Sequence, residues 1–144
     1  MVEEVNYTAM LGLRSSVLYL GKRTMAACIY PTDILSGTLH LGVYNHSNLG
    51  SIGSFHYENL KGREGIGIRL RGMATDPELR GQNLGRMILS FAASYFAQKE
   101  AAYIWCNARQ VAYDFYVKNG YEFVSDEFEL PEIGTHRQML LNLN

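Results

Sequence analysis

Cysteine is scarce: the 144 residues hold only Cys28 and Cys106, far apart and with neither a CxxC pair nor a Cys/His ligand spacing. That argues against both a disulfide framework and a zinc site, and leaves reduced thiols in the cytoplasm as the plain reading. An excess of one charge is missing too, since 13 basic residues are interspersed with 14 acidic ones for a formal net charge of −1. Without a basic stripe there is nothing to track a nucleic-acid backbone, so the expected partner is a small molecule or a protein end. No apolar run approaches the length of a membrane span, and Glu3 and Glu4 stand where a signal peptide would carry Lys or Arg. The four histidines do not form a ligand set: His40 and His46 fall in a hairpin, His56 in a strand and His136 beyond a loop. No metal is expected. Internal repeats, low-complexity segments and a credible domain boundary are all absent, so residues 1–144 read as a single domain, long enough to bury roughly 70% of its unfolded surface.

What is present reads as alternating strands and helices. Val2 to Tyr7 suits a short edge strand, and Thr8 is placed to cap a helix that runs to about Tyr19 on an apolar stripe of Leu13, Val17 and Leu20, with Gly21 ending it. Lys22 to Gly37 has no period and carries Pro31, Asp33 and Gly37; a loop this long in a compact domain is often functional. Thr38 to Asn45 alternates Leu39, Leu41 and Val43 with His40, Gly42 and Tyr44, the pattern of a half-buried strand, and a turn at Asn45 to Leu49 leads into a second arm up to Asn59. A strand from Gly65 to Thr75 follows the turn at Lys61-Gly62-Arg63. Leu84, Ile88, Phe91, Ala92 and Tyr95 mark the clearest helix, and Ala102 to Cys106 reads as a buried strand parallel to the one before it, a βαβ unit. Val111, Ala112 and Phe115 give the next helix its apolar face, Asn119-Gly120 stops it, Tyr121 to Ser125 starts another strand, and Arg137 to Leu141 is the last.

The chain is organised around the junction between the strand ending at Thr75 and the helix opening near Asn83. Asp76-Pro77 stops the strand, because proline removes an N–H and biases its predecessor away from helical angles. Gly81 and Gly85 let backbone approach a ligand closely, and the first N–H groups of the helix lie at the positive end of its dipole. A diphosphate fits such a place. Arg80-Gly81-Gln82-Asn83-Leu84-Gly85 lacks the Lys-Ser/Thr of a P-loop and is not the GxGxxG of a dinucleotide fold.

Order supplies what the glycines alone do not: a strand, this loop, a long helix, Trp105-Cys106-Asn107-Ala108-Arg109, then Phe115-Tyr116 with Asn119-Gly120-Tyr121. From about Arg69 to the C-terminus the sequence resembles the GNAT superfamily of acyl-CoA-dependent N-acetyltransferases. Of the family motif Q/R-x-x-G-x-G/A, Arg80 and Gly85 match, and Asn83 replaces the middle glycine. Asn is the non-glycine residue that best tolerates left-handed angles. Leu13-Arg14, His40-Leu41-Gly42 and Ile133-Gly134-x-His136 are similar to a subgroup of small bacterial members with mostly unassigned acceptors, in which Pro usually stands at Thr135.

The resemblance implies an α/β (α+β) GNAT fold: a mixed, twisted sheet of about six to seven strands, antiparallel in its first half, with helices on both faces and two central parallel strands that splay into a V-shaped gap for acetyl-CoA. In the family the pantetheine adds like a strand to a position that falls here on Met73, Ala74 and Thr75. The diphosphate cradle falls on Arg80, Gly81, Gln82, Asn83, Leu84, Gly85 and Arg86. Asn107 matches a residue that bonds the pantetheine region, although Asn107-x-x-Gln110 also fits a capping box. Of Tyr113 and Tyr116, either of which suits the core, only Tyr116 matches the family's acid.

Arg69, Arg71 and Met73 share a face of their strand if no bulge intervenes, and Arg71 is a candidate to hold an acceptor carboxylate or other anion; an ion pair with Glu58 or Glu64 is its structural alternative. His136 is a candidate base or acceptor contact, or else a hydrogen bonder at the start of its strand. The chemistry needs a proton acceptor for the amine, for which Asp33, Glu58, Glu127, His136 and a water relay all stay open. It also needs a donor for the oxyanion, such as a backbone N–H near Ala74, and a proton for the departing thiolate, which Tyr116 could give. The expected activity is acetyl transfer from acetyl-CoA directly to a primary amine of a small molecule or peptide, without metal, nucleic acid or membrane, in a family whose members often form homodimers. A non-catalytic acyl-CoA sensor or scaffold is the alternative that substituted Asn83 leaves open.

Overall fold

The computed structural model describes residues 1–144. Eight strands form one mixed sheet: β1 (Val2–Glu4), β2 (Leu39–Asn45), β3 (Asn48–Tyr57), β4 (Gly67–Thr75), β5 (Tyr103–Arg109), β6 (Glu122–Phe123), β7 (Phe128–Leu130) and β8 (Gly134–Asn142). Their order is β1-β2-β3-β4-β5-β8-β6, with β7 also on β8. The α-helices are α1 (Leu11–Leu13), α2 (Leu84–Gln98) and α3 (Tyr113–Lys118). The chain gathers into two compact units, Met1–His56 with Leu70–Ala92, and Tyr57–Arg69 with Ala93–Asn144. Neither is a continuous stretch.

In the first unit β1 pairs antiparallel with β2, and β2 with β3 through the tight turn at His46, which sits at φ 58°. The strands are more deeply covered than their alternation predicts: His40 and Gly42 of β2 are buried along with Leu39, Leu41 and Val43. One reason is the segment that follows β1. It is helical but irregular, a 3-10 turn at Tyr7–Met10, the α-helical turn α1, and a π turn at Arg14–Leu18. Asn6, not Thr8, caps it, with Oδ1 accepting from the Thr8 N–H at 3.0 Å and from the Thr8 hydroxyl at 2.9 Å. Leu13 and Val17 pack on the core of Met10, Ile52 and Ala74, whereas Leu20 points out at 75% exposure and φ 52°, past the end of the helical segment.

The π turn carries Arg14, whose side chain is fully buried. Its guanidinium grips Asp33 in a fork, Nη1 to Oδ2 at 2.7 Å and Nη2 to Oδ1 at 2.9 Å, and also donates to the Cys28 carbonyl and to Ser54 Oγ, each at 2.9 Å. Asp33 Oδ2 further accepts the Tyr30 N–H at 2.7 Å, which fixes the 3-10 turn Pro31–Ile34 inside the long loop. Cross-strand partners His40 and Ser54 close the circuit: Nδ1 meets Ser54 Oγ at 2.7 Å and Nε2 meets the Asp33 carbonyl at 3.0 Å. A carbonyl only accepts, so Nε2 carries the proton. In the neutral ring Nδ1 then takes the Ser54 hydroxyl hydrogen.

The second unit begins with the parallel ladder of β4 and β5, which consists of Gly67↔Tyr103, Ile68↔Ile104 and Arg69↔Trp105. β5 pairs antiparallel with β8 over its whole length, from Tyr103↔Asn142 to Arg109↔His136. β7, the strand absent from the expected set, occupies Phe128–Leu130, and β8 starts three residues earlier than expected, at Gly134. Leu60, Tyr103, Trp105 and Leu140 form its core, in which the Tyr103 hydroxyl accepts the Leu60 N–H at 2.9 Å and the Trp105 indole donates to the Glu58 carbonyl at 2.8 Å.

Periodicity placed most of the two helix faces, Ile88 and Ala92 buried and Leu84, Tyr95, Ala112 and Phe115 half-buried, and missed one residue on each. On α2 the buried row is Gly85, Ile88, Leu89, Ala92 and Phe96, while Phe91 is 41% exposed; on the turn before α3, Val111 is exposed instead of covered.

Burial acts to raise the Asp33 pKa, but the Arg14 fork and the Tyr30 N–H outweigh it and hold the carboxyl below its ordinary 3.8. A carboxylate depressed in the fold stabilises above its unfolded pKa, and that stability is lost as pH falls through the folded value. Asp33→Asn leaves a buried guanidinium without a counter-ion and is expected to lower stability at pH 7 by about 3–5 kcal/mol, with the gap to wild type closing below pH 3.8. Urea unfolding across pH 2 to 8 checks it, with a difference independent of pH counting against the ion pair.

Candidate active site

In the first unit the junction after β4 is built by short-range bonds. Asp76 closes β4 with its N–H on the Gly50 carbonyl at 2.8 Å and caps the turn Pro77–Leu79 by accepting the Glu78 N–H at 3.0 Å. Leu79 and Leu84 lean over Gly50 of β3, where an added Cβ would meet their methyls at 2.7 and 3.3 Å. That anchors both ends of the loop between them. Within the loop, Gly81 sits at φ 84° with open space around its missing Cβ, and Asn83 sits at φ 63°, the left-handed angle that its substitution for glycine requires.

The first hydrogen bond of α2 runs from the Met87 N–H to the Asn83 carbonyl at 3.0 Å, so the N–H groups of Leu84, Gly85 and Arg86 lie ahead of the helical ladder. Arg80, Gly81, Gln82, Asn83 and Arg86 are exposed, Leu84 is half-buried and Gly85 buried. This is an open cradle of backbone donors.

β4 breaks its alternation at Gly72, which takes φ 66°. Leu70 and Met73 therefore fall on one side, both within contact of the position a Gly53 Cβ would take, together with Ile88 of α2. Arg71 goes to the other, its guanidinium carbon 4.2 Å from the centre of the Tyr30 ring. The expected common face of Arg71 and Met73 does not exist, because one left-handed residue shifts the pleat. Ala74 packs on Met10 and Ile52, and Thr75 joins Ser51 by their hydroxyls at 2.8 Å. Arg71 also makes no ion pair with Glu58, which is bound instead by Arg69 at 3.2 Å.

In the second unit Asn107 lies inside β5 opposite Gln138, so it caps nothing; the turn before α3 starts from Arg109 without a side-chain cap. Its Oδ1 is buried and has no hydrogen-bond partner. Tyr116 is buried on α3, against Phe115 and Tyr121, with its hydroxyl bonded to the Cys106 thiol. Burial first, then Cys106, pushes the phenol well above its ordinary value, and burial pushes the Cys106 thiol up to about 12. Both stay protonated through neutral pH. Tyr113 is half-buried, 3.4 Å from a Glu127 oxygen. His136 is buried in β8, stacked near Phe128, with Nδ1 2.8 Å from the Gly134 carbonyl, so Nδ1 carries the proton and Nε2 the lone pair of the neutral ring.

Of the open base candidates, Asp33 is disqualified by its Arg14 fork and burial. The polar circuit of Arg14, Asp33, His40 and Ser54 was not anticipated from sequence. The available signal was Arg14 itself, a cation beside the apolar stripe of Leu13 and Val17. No group of three or more His, Cys, Asp or Glu side chains is placed to hold a metal, and no helix is long and apolar enough to cross a membrane.

The chain is similar in overall fold to solved structures over almost its whole length. The Escherichia coli protein ElaA superposes with a TM-score of 0.77 over 98% of each chain at 15% identity. An aminoglycoside 6'-N-acetyltransferase, solved with coenzyme A, gives 0.76 over 100% of this chain and 97% of its own at 10% identity. In sequence, an uncharacterised N-acetyltransferase of Bacillus subtilis (strain 168), YitI, is 34% identical over 122 residues, 84% of this chain and 82% of the relative. The family model for the acetyltransferase (GNAT) domain matches residues 37–123, from the start of the β2–β3 hairpin through α3 to β6. With that match and the YitI identity agreeing, the chain belongs to the GNAT acetyltransferase family.

Proposed function

We propose that the protein moves an acetyl group from acetyl-CoA directly to a primary amine of a small molecule or peptide. The observation that carries this reading is the cradle: Gly81 and Asn83 at left-handed angles, and three N–H groups ahead of the α2 ladder. Those donors suit a diphosphate. Two further features fit the cofactor, the open space at Gly81 and the unpartnered Asn107 Oδ1, an acceptor suited to an amide N–H such as pantetheine carries.

Acetyl-CoA supplies an activated acyl group as a thioester. In our reading Arg80 to Arg86 bind the diphosphate, and Met73, Ala74 and Thr75 bind the pantetheine along the end of β4. A backbone N–H near Ala74 stabilises the oxyanion as the amine nitrogen bonds to the acyl carbon. His136 takes the amine's surplus proton on Nε2, a role that matters because a lysine-type amine with pKa near ~10.4 is almost wholly protonated at pH 7. Tyr116 gives its proton to the sulfur as the carbon–sulfur bond breaks; its high pKa keeps that proton in place until a thiolate forms beside it. The products are an N-acetyl amide and free CoA thiol, and the proton that His136 took is given up to solvent while Tyr116 regains one from it, which restores both side chains.

Gly85→Val crowds the cradle with a β-branched side chain at a buried position and is expected to weaken acetyl-CoA binding at least tenfold. Isothermal titration on the variant, once circular dichroism shows it folded, decides; wild-type affinity would remove the diphosphate assignment. Tyr116→Phe keeps the ring and loses the hydroxyl. Its kcat should fall by roughly 10²-fold or more with acetyl-CoA affinity unchanged, beside a stability loss of about 1 kcal/mol from the Cys106 hydrogen bond. Steady-state kinetics, with Tyr113→Phe as neighbouring control, read it, and a kcat within about threefold of wild type would falsify the acid role.

A further inference from the structure

We infer that the acceptor amine carries a carboxylate, as an amino acid does, and that Arg71 is the residue that binds it. The inference rests on the acyl-transfer reading and adds the substrate class. Three arginines surround the Tyr19–Tyr30 pair in the first unit, and their charges are not balanced. Arg14 and Arg71 stack on the Tyr30 ring, with guanidinium carbons 4.1 and 4.2 Å from its centre; Arg23 lies 4.1 Å from the centre of the Tyr19 ring; and the two tyrosine hydroxyls meet at 3.2 Å.

Asp33 answers the charge of Arg14 through both its oxygens. Arg71 and Arg23, both half-buried, have no carboxylate partner, and the Arg71 guanidinium donates no hydrogen bond. Tyr30 does not supply the missing anion, since burial and the Tyr19 hydroxyl raise its pKa far above neutrality.

A half-buried guanidinium held over a ring, with its N–H groups uncommitted, is preorganised for a planar, two-oxygen anion. Gly72 makes the arrangement possible: at φ 66° it turns Arg71 toward Tyr30, and a Cβ there would come within 3.1 Å of both the Tyr30 ring and Arg14 Nε. Arg71 stands three residues before Ala74 on β4, so a carboxylate held there belongs to a molecule lying along the strand read as holding the pantetheine. The amine is then delivered by a fixed anchor.

The test pairs each acceptor with its decarboxylated counterpart: L-phenylalanine with phenethylamine, L-leucine with 3-methylbutylamine, L-lysine with cadaverine. Wild-type protein should favour the carboxylated member of at least one pair by about 30-fold or more in kcat/KM, the scale of a hydrogen-bonded charge pair. In Arg71→Gln that ratio should fall toward one, with acetyl-CoA affinity and Tm held; Arg71→Lys should restore part of it. A wild-type preference for the decarboxylated amines, or a ratio that survives Arg71→Gln, overturns the inference. If no amine releases CoA thiol, the acyl-transfer reading fails, and calorimetric binding of the same pairs in the presence of CoA decides the anion site by itself. Binding of a carboxylated member that Arg71→Gln abolishes supports the site, and equal or absent binding of both members overturns it.

Discussion

The buried fork between Arg14 and Asp33 is the interaction on which the first unit depends. A fully buried guanidinium is tolerable only with an anion and further acceptors, and those come to its two Nη groups from the loop (Asp33 and the Cys28 carbonyl) and from β3 (Ser54), while Nε is left without a partner. One charge pair thus fixes the irregular helical segment, the long loop and the sheet to each other. His40 completes the circuit with a defined tautomer, and Tyr30, held by Asp33 through its N–H, is set in place for Arg14 and Arg71. The attraction within the pair mainly offsets the desolvation of two ions, so its removal is costly chiefly through the charge left alone.

The second constraint is backbone geometry at three residues. Gly72, Gly81 and Asn83 take φ of 66°, 84° and 63°. Gly72 resets the pleat of β4 and sends Arg71 and Met73 to opposite faces; Gly81 and Asn83 shape the approach to α2 and leave its first N–H groups pointing out of the ladder. Both effects arise from local torsions. The chemistry proposed for this region depends on main chain more than on side chains, which is why Asn can stand where the family motif has glycine.

Legibility in the sequence follows the range of the interactions. Strands β2 to β5 and helices α2 and α3 were readable because alternation, proline and glycine act within a few residues, and the left-handed loop ahead of α2 was readable for the same reason. The edge of the α2 face was not: Ile88 and Ala92 are buried as the stripe has them, but Phe91 is exposed while Leu89 and Phe96 are covered, and only packing makes that choice. Asn107 read as a pantetheine contact or as a helix cap, and the cap fell away once β8 was seen to pair along all of β5. The Arg14 circuit joins residues 14, 28, 33, 40 and 54, separations at which a sequence carries no period. β7, three residues long, is defined by its pairing with β8 and not by its own composition.

In the proposed reading, acyl-CoA is held by main chain at the end of β4 and the start of α2. Hydrogen–deuterium exchange, followed residue by residue with and without acetyl-CoA, reads those amides directly. Slowed exchange at Met73 to Thr75 and at Gly81 to Arg86 is the predicted result; unchanged exchange at both segments under saturating acetyl-CoA, with protection confined to other parts of the chain, would contradict it.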